Sequence, residues 1–353
     1  MSFLPFAFHC LCVVLVSSQQ YELLYRRGPF PHSSSTSFIA NAEVLATDDS
    51  VIPVLAIFVR VGTGFLRRCL WSIDFPIVDL AIIQDGEDET DNVKKLLNEF
   101  ILSRKQNRSA SRVEKVRHVV NVNHTGCSQG WNTVYYLYPS QPFWIFSSND
   151  ILFLPGQLEI FYREITRILS LPNSRVGKMS AMIDFGGGAV RRSFGLMTWA
   201  TTRKGVLEGG LYDENFYPSY FEDDDILIRF QLAALSMIAV NATMRHGDKD
   251  ATYEYGSVKE DASGLYKAEL GRSRNQHYLV AKWNVKNYNP SIGEMCRLHN
   301  PSTHFCTPFD ALTSVTNWTF IPLYRKCIEL ALTKDCGVFL PNIVHHSQPP
   351  AML

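Results

Sequence analysis

Apolar positions along this chain follow two alternating rhythms. Short continuous runs, Ile52 to Val59, Val78 to Gln84 and Val116 to Val122, predict strands buried on both faces. Between them, apolar residues recur at helical spacing. The clearest set is Val93, Leu96, Leu97, Phe100 and Ile101, which share one stripe behind the acidic Asp88 to Asp91. Gly62 and Gly64 turn the first strand into a helix that carries Phe65, Leu66, Cys69 and Leu70 on one face. A further helix runs from about Gly126 towards Tyr138, and Phe143 to Gly156 holds a central strand bounded by Pro142 and Pro155. This alternation predicts a parallel sheet with right-handed crossovers.

Beyond a helix at Gln157 to Leu169 the elements shorten. Lys178 to Ile183 and Leu196 to Thr201 predict strands flanking the flexible Gly186-Gly187-Gly188. A helix then starts at Glu222-Asp223-Asp224-Asp225 and reaches Leu235. Met237 to Val240 predicts a last strand, with His246 just past it. From about Asp250 come aromatic and basic residues (Tyr278, Lys282, Trp283, Tyr288), four cysteines and a proline-rich tail, which say little about chemistry.

Composition narrows the class. The chain has 353 residues, 46% of them hydrophobic, enough for one large α/β domain with an appendage. Its 34 basic residues balance 34 acidic ones, so no global field draws nucleic acid or an anionic membrane, and no nucleic-acid partner is expected. Residues 1–18 predict a signal peptide or short anchor, with membrane association only if that segment is uncleaved; residues 19–50 predict a stem, and folding is expected to begin near Val51. Of eight cysteines, Cys10 and Cys12 fall in the leader, and Cys296 with Cys306 and Cys327 with Cys336 are spaced as local disulfides. Sequons at Asn107, Asn123, Asn241 and Asn317 agree with the secretory lumen or secretion, and Asn123, ahead of the expected cleft, is predicted to carry no glycan.

Candidate chemistry gathers at strand ends. Ser147, Ser148, Asn149 and Asp150 form a polar knot after an apolar run, at the carboxyl edge where open α/β sheets place ligands. Asp150 there either caps the next segment or seats a divalent cation bound to phosphate oxygens. The four carboxylates at Glu222 to Asp225 favour a helix dipole, but one or two suffice for that. Like charges in contact near a surface repel by about 4 kcal/mol, so such a cluster points to a cation or a held proton, and hence to a general base. His246 is either a hydrogen-bonded histidine or a partner of the metal. Asp85 with Gly86 makes a turn or reads a ribose or base, and Gly130 and Asn132 near a helix start either cap it or lie where backbone amides favour a diphosphate. Trp131 and Trp199 read as core or cleft lining. No Gly-x-Gly-x-x-Gly and no phosphate loop follows a strand, which counts against a dinucleotide enzyme, an ATPase or a nucleotidyltransferase.

Taken in order, Ile52 to Val59, Ile82-Ile83-Gln84-Asp85-Gly86, the Gly126 to Asn132 region, Ser148-Asn149-Asp150 with Pro155-Gly156, and Asp213 to Phe216 with Phe221 to Asp225 and Arg229 resemble the GT-A glycosyltransferases, most nearly glycosyltransferase family 2. The resemblance covers roughly residues 51–250. It implies an α/β fold with a mixed sheet flanked by helices, followed by a C-terminal extension over residues 251–353. It also implies an inverting, hexosyltransferase-type enzyme that moves a sugar from a nucleotide-diphosphate donor to a hydroxyl of a glycan, glycoprotein or glycolipid in the secretory pathway, with Mn²⁺ or Mg²⁺. By the resemblance, Asp223 is the base and Glu222 orients it. Asp85, Gly130, Asn132, Ser148 and Asn149 bind the donor, and Asp150 and His246 hold the metal. The chain departs from the pattern at Ser148, where the Asp-x-Asp motif has its first acid, and at Gln84, where an acid is common. The alternative is an inactive protein of the same fold that binds sugar or nucleotide.

Overall fold

The computed structural model describes residues 12–14, 21–26, 36–45, 50–106, 112–122, 124–186, 190–192, 197–214, 216–247, 275, 276 and 279. In chain order the elements are β1 (Cys12–Val14), β2 (Tyr21–Arg26), α1 (Ser37–Ala40), β3 (Ile52–Val59), α2 (Thr63–Trp71), β4 (Ile77–Asp85), α3 (Thr90–Gln106) and β5 (Val113–Asn121). Then come α4 (Gly126–Leu137), β6 (Phe143–Ser148), β7 (Ile151–Phe153), α5 (Gln157–Leu169), β8 (Val176–Asp184) and β9 (Val190–Arg192). The series closes with β10 (Thr198–Thr202), α6 (Arg203–Gly209), α7 (Glu222–Leu232) and β11 (Ser236–His246).

Among the described residues these strands form one sheet in the order β1-β2-β5-β4-β3-β6-β10-β8-β11-β7, with β9 paired to β8. Strands β5, β4, β3 and β6 run parallel, as the alternation predicts. β10 is antiparallel to both β6 and β8, so the sheet is mixed, and β8 and β11 again run in the common direction. A strand reversed between two others needs no crossover helix, which is why the pattern of helices turns irregular after α5.

Helices cover both faces. On one, Leu66 and Leu70 of α2 and Val93 and Leu97 of α3 share a core with Leu55, Ile57 and Ile82, and Phe161 and Ile165 of α5 extend that core over β8 and β11. On the other, Trp131 and Tyr135 of α4, Val206 of α6, and Ile226 and Phe230 of α7 pack on Ala56, Phe146 and Trp199. Trp131 and Trp199 are core residues whose rings meet edge to face at 4.8 Å, and Phe146 stacks on Trp199 at 5.1 Å. The helical stripes of α2 and α3 bury the residues expected of them, joined in α3 by Thr90.

Two expectations are corrected. Folding does not begin near Val51: β2 pairs in parallel with β5, from Tyr21 opposite Val116 to Arg26 opposite Asn121, and buries Tyr21, Leu23 and Leu24. Its apolar residues cover what would be a bare strand edge, a gain hidden by the polar, serine-rich residues that follow. Residues 36–45 are also docked, because the Arg203 guanidinium donates to the Ile39, Ala42 and Pro139 carbonyls. The last strand is also longer than Met237 to Val240, and His246 is its final residue rather than a neighbour beyond it. The cysteine pairs after residue 290 lie outside the described residues, as do the sequons at Asn107, Asn123 and Asn317; Asn241 is exposed on β11.

Candidate functional site

Because β3, β4, β5, β6, β8 and β11 share one direction, their carboxyl ends share one edge of the sheet. Asp85, Asn121, Ser148, Asp184 and His246 are the last residues of five of them. Open α/β sheets bind ligands at this edge.

Asp150 lies two residues past the end of β6 and is 7% exposed. Its Oδ2 lies 3.5 Å from His246 Nε2, Ser148 Oγ donates to its Oδ1 at 2.6 Å, and the Gly247 N–H donates to its main-chain oxygen at 2.8 Å. The polar knot and the end of β11, some hundred positions apart, are therefore one cluster. Burial pulls the His246 imidazole towards neutrality, but the hydrogen bond and charge of Asp150 outweigh it and leave the ring above its ordinary value. Asn149 turns away: its Nδ2 donates to Val61 O at 2.7 Å and ties the β6 turn to the end of β3. A carboxylate and an imidazole side by side are a fitting pair for a divalent ion that keeps water or phosphate as its other ligands. Among the described residues no three His, Cys, Asp or Glu side chains group closely enough to hold a metal ion by themselves.

Asp85 closes β4 and is fully buried. Its Oδ1 accepts from the Thr125 N–H (2.6 Å), Thr125 Oγ1 (3.0 Å) and the Gly126 N–H (3.3 Å). The residue expected to meet a nucleoside thus holds the turn that begins α4. Gly86 beside it has φ +94°, and a Cβ there would fall 2.1 Å from the His124 ring. His124 in turn faces Asp88, 3.7 Å away, which pairs with the buried Arg60 at 3.1 Å. Neither Arg60 nor His124 stood out in the sequence, since each is a single polar side chain near a strand end.

Gly130 and Asn132, expected at a helix start, lie deeper in α4. α4 starts at Gly126, so both sit within its body, where main-chain amides serve the helix. Gly130 lets the Phe58 ring approach, since a Cβ there would lie 2.4 Å from Phe58 Cε2. The Asn132 side chain, 2% exposed, donates to Tyr212 O (2.9 Å) and Glu214 Oε1 (3.1 Å) and accepts from the Tyr212 N–H (2.9 Å). It bolts α4 to the turn ahead of the acidic cluster.

The four acids at the start of α7 divide in function. Asp225 pairs with Arg229 at 2.9 Å, and the guanidinium donates onward to Leu211 O at 2.8 Å, so this acid anchors the helix. Glu222 is 5% exposed, and among the described residues its Oε2 has no hydrogen-bond partner. Burial first, and then the charge of Asp223, push its carboxyl well above the ordinary range. Burial likewise raises half-buried Asp223, against the pull of Lys178. Lys178, on β8, is 1% exposed with its Nζ 5.5 Å from the Trp199 ring centre. Burial lowers its ammonium to about 8, while Asp223, Asp224 and Glu222 resist the shift. The only sequence signal for it was a cation inside an otherwise apolar strand. Cys127, in the first turn of α4, ties the regions together: its N–H donates to Pro218 O at 2.8 Å, and its thiol is raised by burial and by the charges of Glu222, Asp85 and Asp223.

No protein-family model and no curated protein matches this chain. Solved structures do. GalNAc-T7, solved with UDP, GalNAc and Mn²⁺, is 11% identical with a TM-score of 0.46, over 82% of this chain. S. aureus TarS 1-349 is 12% identical with a TM-score of 0.41, over 84% of this chain and 83% of its own. The chain spans 59% of the GalNAc-T7 chain. Both neighbours are GT-A-type glycosyltransferases. The mixed, helix-flanked sheet implied by the sequence resemblance is the sheet observed.

Proposed function

We propose that this protein is a glycosyltransferase that moves a sugar from a nucleotide-diphosphate donor to an acceptor hydroxyl with inversion, in the lumen of the secretory pathway. Two observations support the reading: the Asp150–His246 couple at the carboxyl edge of the sheet, and a neighbouring pair of carboxyls at the start of α7, Glu222 and Asp223, held above their ordinary range. Raised carboxylates are stronger bases, and Asp223, the more exposed of the two, takes the proton of the acceptor hydroxyl while Glu222 orients it. The hydroxyl oxygen bonds to the anomeric carbon as the bond to the diphosphate oxygen breaks on the opposite face. Asp150 and His246 would hold a divalent cation, Mn²⁺ or Mg²⁺, whose charge offsets that of the departing diphosphate. Ser148, in place of the first acid of the motif, keeps Asp150 oriented by its hydrogen bond.

A second reading, a silent binding protein, draws support from the two-residue metal set. Calorimetric titration of UDP and GDP with and without Mn²⁺ tests the cation site common to both. Binding is expected to depend on Mn²⁺ and to weaken in Asp150→Ala by more than the roughly 10- to 100-fold that loss of a supporting partner costs. Metal-independent binding would remove the cation from the proposal.

A further inference from the structure

Two consecutive residues with a β-carbon, Tyr220 (φ 77°) and Phe221 (φ 71°), adopt the left-handed conformation immediately before Glu222. That region is unfavourable for such residues and persists where the surroundings fix it. Phe221 is also the N-cap of α7, and it offers no side-chain cap. The acidic pair therefore starts from a turn that the local sequence does not stabilise.

Contacts from outside hold it. On one side the first turn of α4 closes on it: the Cys127 N–H reaches Pro218 O, and Gly126 leaves so little room that a Cβ would lie 2.8 Å from the same oxygen. On the other side stands Asn275, more than fifty residues later and 0% exposed. Its Nδ2 donates to Ser219 O at 2.7 Å and to Tyr220 O at 3.0 Å, two successive carbonyls of the strained turn. Leu279, four positions on, is equally buried. An amide is suited to this task because it brings two N–H donors on one atom, whereas a carboxylate of the same shape brings none.

We propose that Asn275 is a positioning residue that fixes the Ser219–Phe221 turn and thereby sets where Glu222 and Asp223 stand, so that the acid pair is completed from the C-terminal part of the chain. Its catalytic consequence rests on the transferase reading; its structural consequence does not. The test uses the full chain with Asn275→Asp, which keeps the shape and removes both donors, and the milder Asn275→Ser.

Amide hydrogen exchange over residues 219–225 is expected to quicken by roughly tenfold for each hydrogen bond lost. In a transfer assay kcat is expected to fall on the order of 100-fold, as for a misplaced catalytic group, with KM for the nucleotide sugar within about twofold of wild type. A merely structural residue would instead lower the fraction of folded enzyme and leave kcat per folded molecule unchanged. Wild-type exchange at 219–225 in both variants overturns the proposal, and so does faster exchange with unaltered kcat. Should the wild-type chain transfer nothing from any donor, the transferase reading fails by itself, and exchange alone decides whether Asn275 holds the turn.

Discussion

Glu222 concentrates the conflict between folding and chemistry in one side chain. A carboxylate with a buried, unpartnered oxygen destabilises the fold, and its raised pKa means the folded state favours the protonated form. The stabilising contribution is thus present below about 4.5 and is lost as pH rises through the folded value. Glu222→Gln removes that loss. At pH 8 this variant is expected to be more stable than wild type by about 1–3 kcal/mol in denaturant unfolding, with the difference vanishing near pH 4. Equal stability at both pH values would mean that the carboxyl is not held in this state. The position of this acid was legible in the sequence as one of four in a row. Which of the four anchors the helix was not, because that depends on Arg229 turning back to Asp225 and the Leu211 carbonyl.

Gln84 shows how a departure from a motif can be read once its neighbours are known. Buried, it donates to Gly86 O (2.8 Å) and Thr90 Oγ1 (3.0 Å), and it accepts from His118 Nε2 (2.8 Å). His118, kept neutral by burial at about 3, then accepts from the Tyr21 hydroxyl at 3.0 Å. An aspartate at 84 would supply none of the donors that this side chain supplies.

At the scale of elements, that relay links strand β2 to the turn after Asp85, so the segment that reads as stem supports the candidate site. Tyr21→Phe leaves the His118 acceptor unmet and is expected to cost about 1–3 kcal/mol in denaturant unfolding; an unchanged midpoint would show that the Tyr21–His118 bond adds nothing to stability. The helices and parallel strands were legible because each buries a regular stripe or run. β2 and α6 were less so, since their burial comes from partners distant in sequence, and β10 was legible as a strand but not as a reversed one. Gly130 illustrates the same limit within α4. Its neighbours suggested a phosphate-binding helix start, whereas the structure shows a gap filled by Phe58. Gly130→Ala is therefore expected to destabilise by about 1–3 kcal/mol through overpacking, and Phe58→Leu to recover part of it in a double-mutant cycle. Strict additivity would return Gly130 to the list of ligand-facing residues.

Over the whole molecule, distant stretches meet because the topology sends them to one edge. Asp150 reaches it from β6 and His246 from β11, while the turn ahead of Glu222 and Asp223 is bolted to α4 through Asn132 and Tyr212. The residue types and their order could be read along the chain. The buried Lys178 beneath the acids and the Asn275 amide above them could not, because each acts on a segment dozens of positions away. The most direct measurement is release of nucleoside diphosphate with sugar transfer, from a panel of nucleotide sugars with Mn²⁺, by wild type and Asp223→Asn side by side. Wild type is expected to turn over with at least one donor, and the variant to lose about 10²- to 10⁴-fold in kcat, the share of a general base. Turnover by Asp223→Asn at the wild-type rate, or none by the wild type with any donor, would contradict a catalytic acid pair at the start of α7.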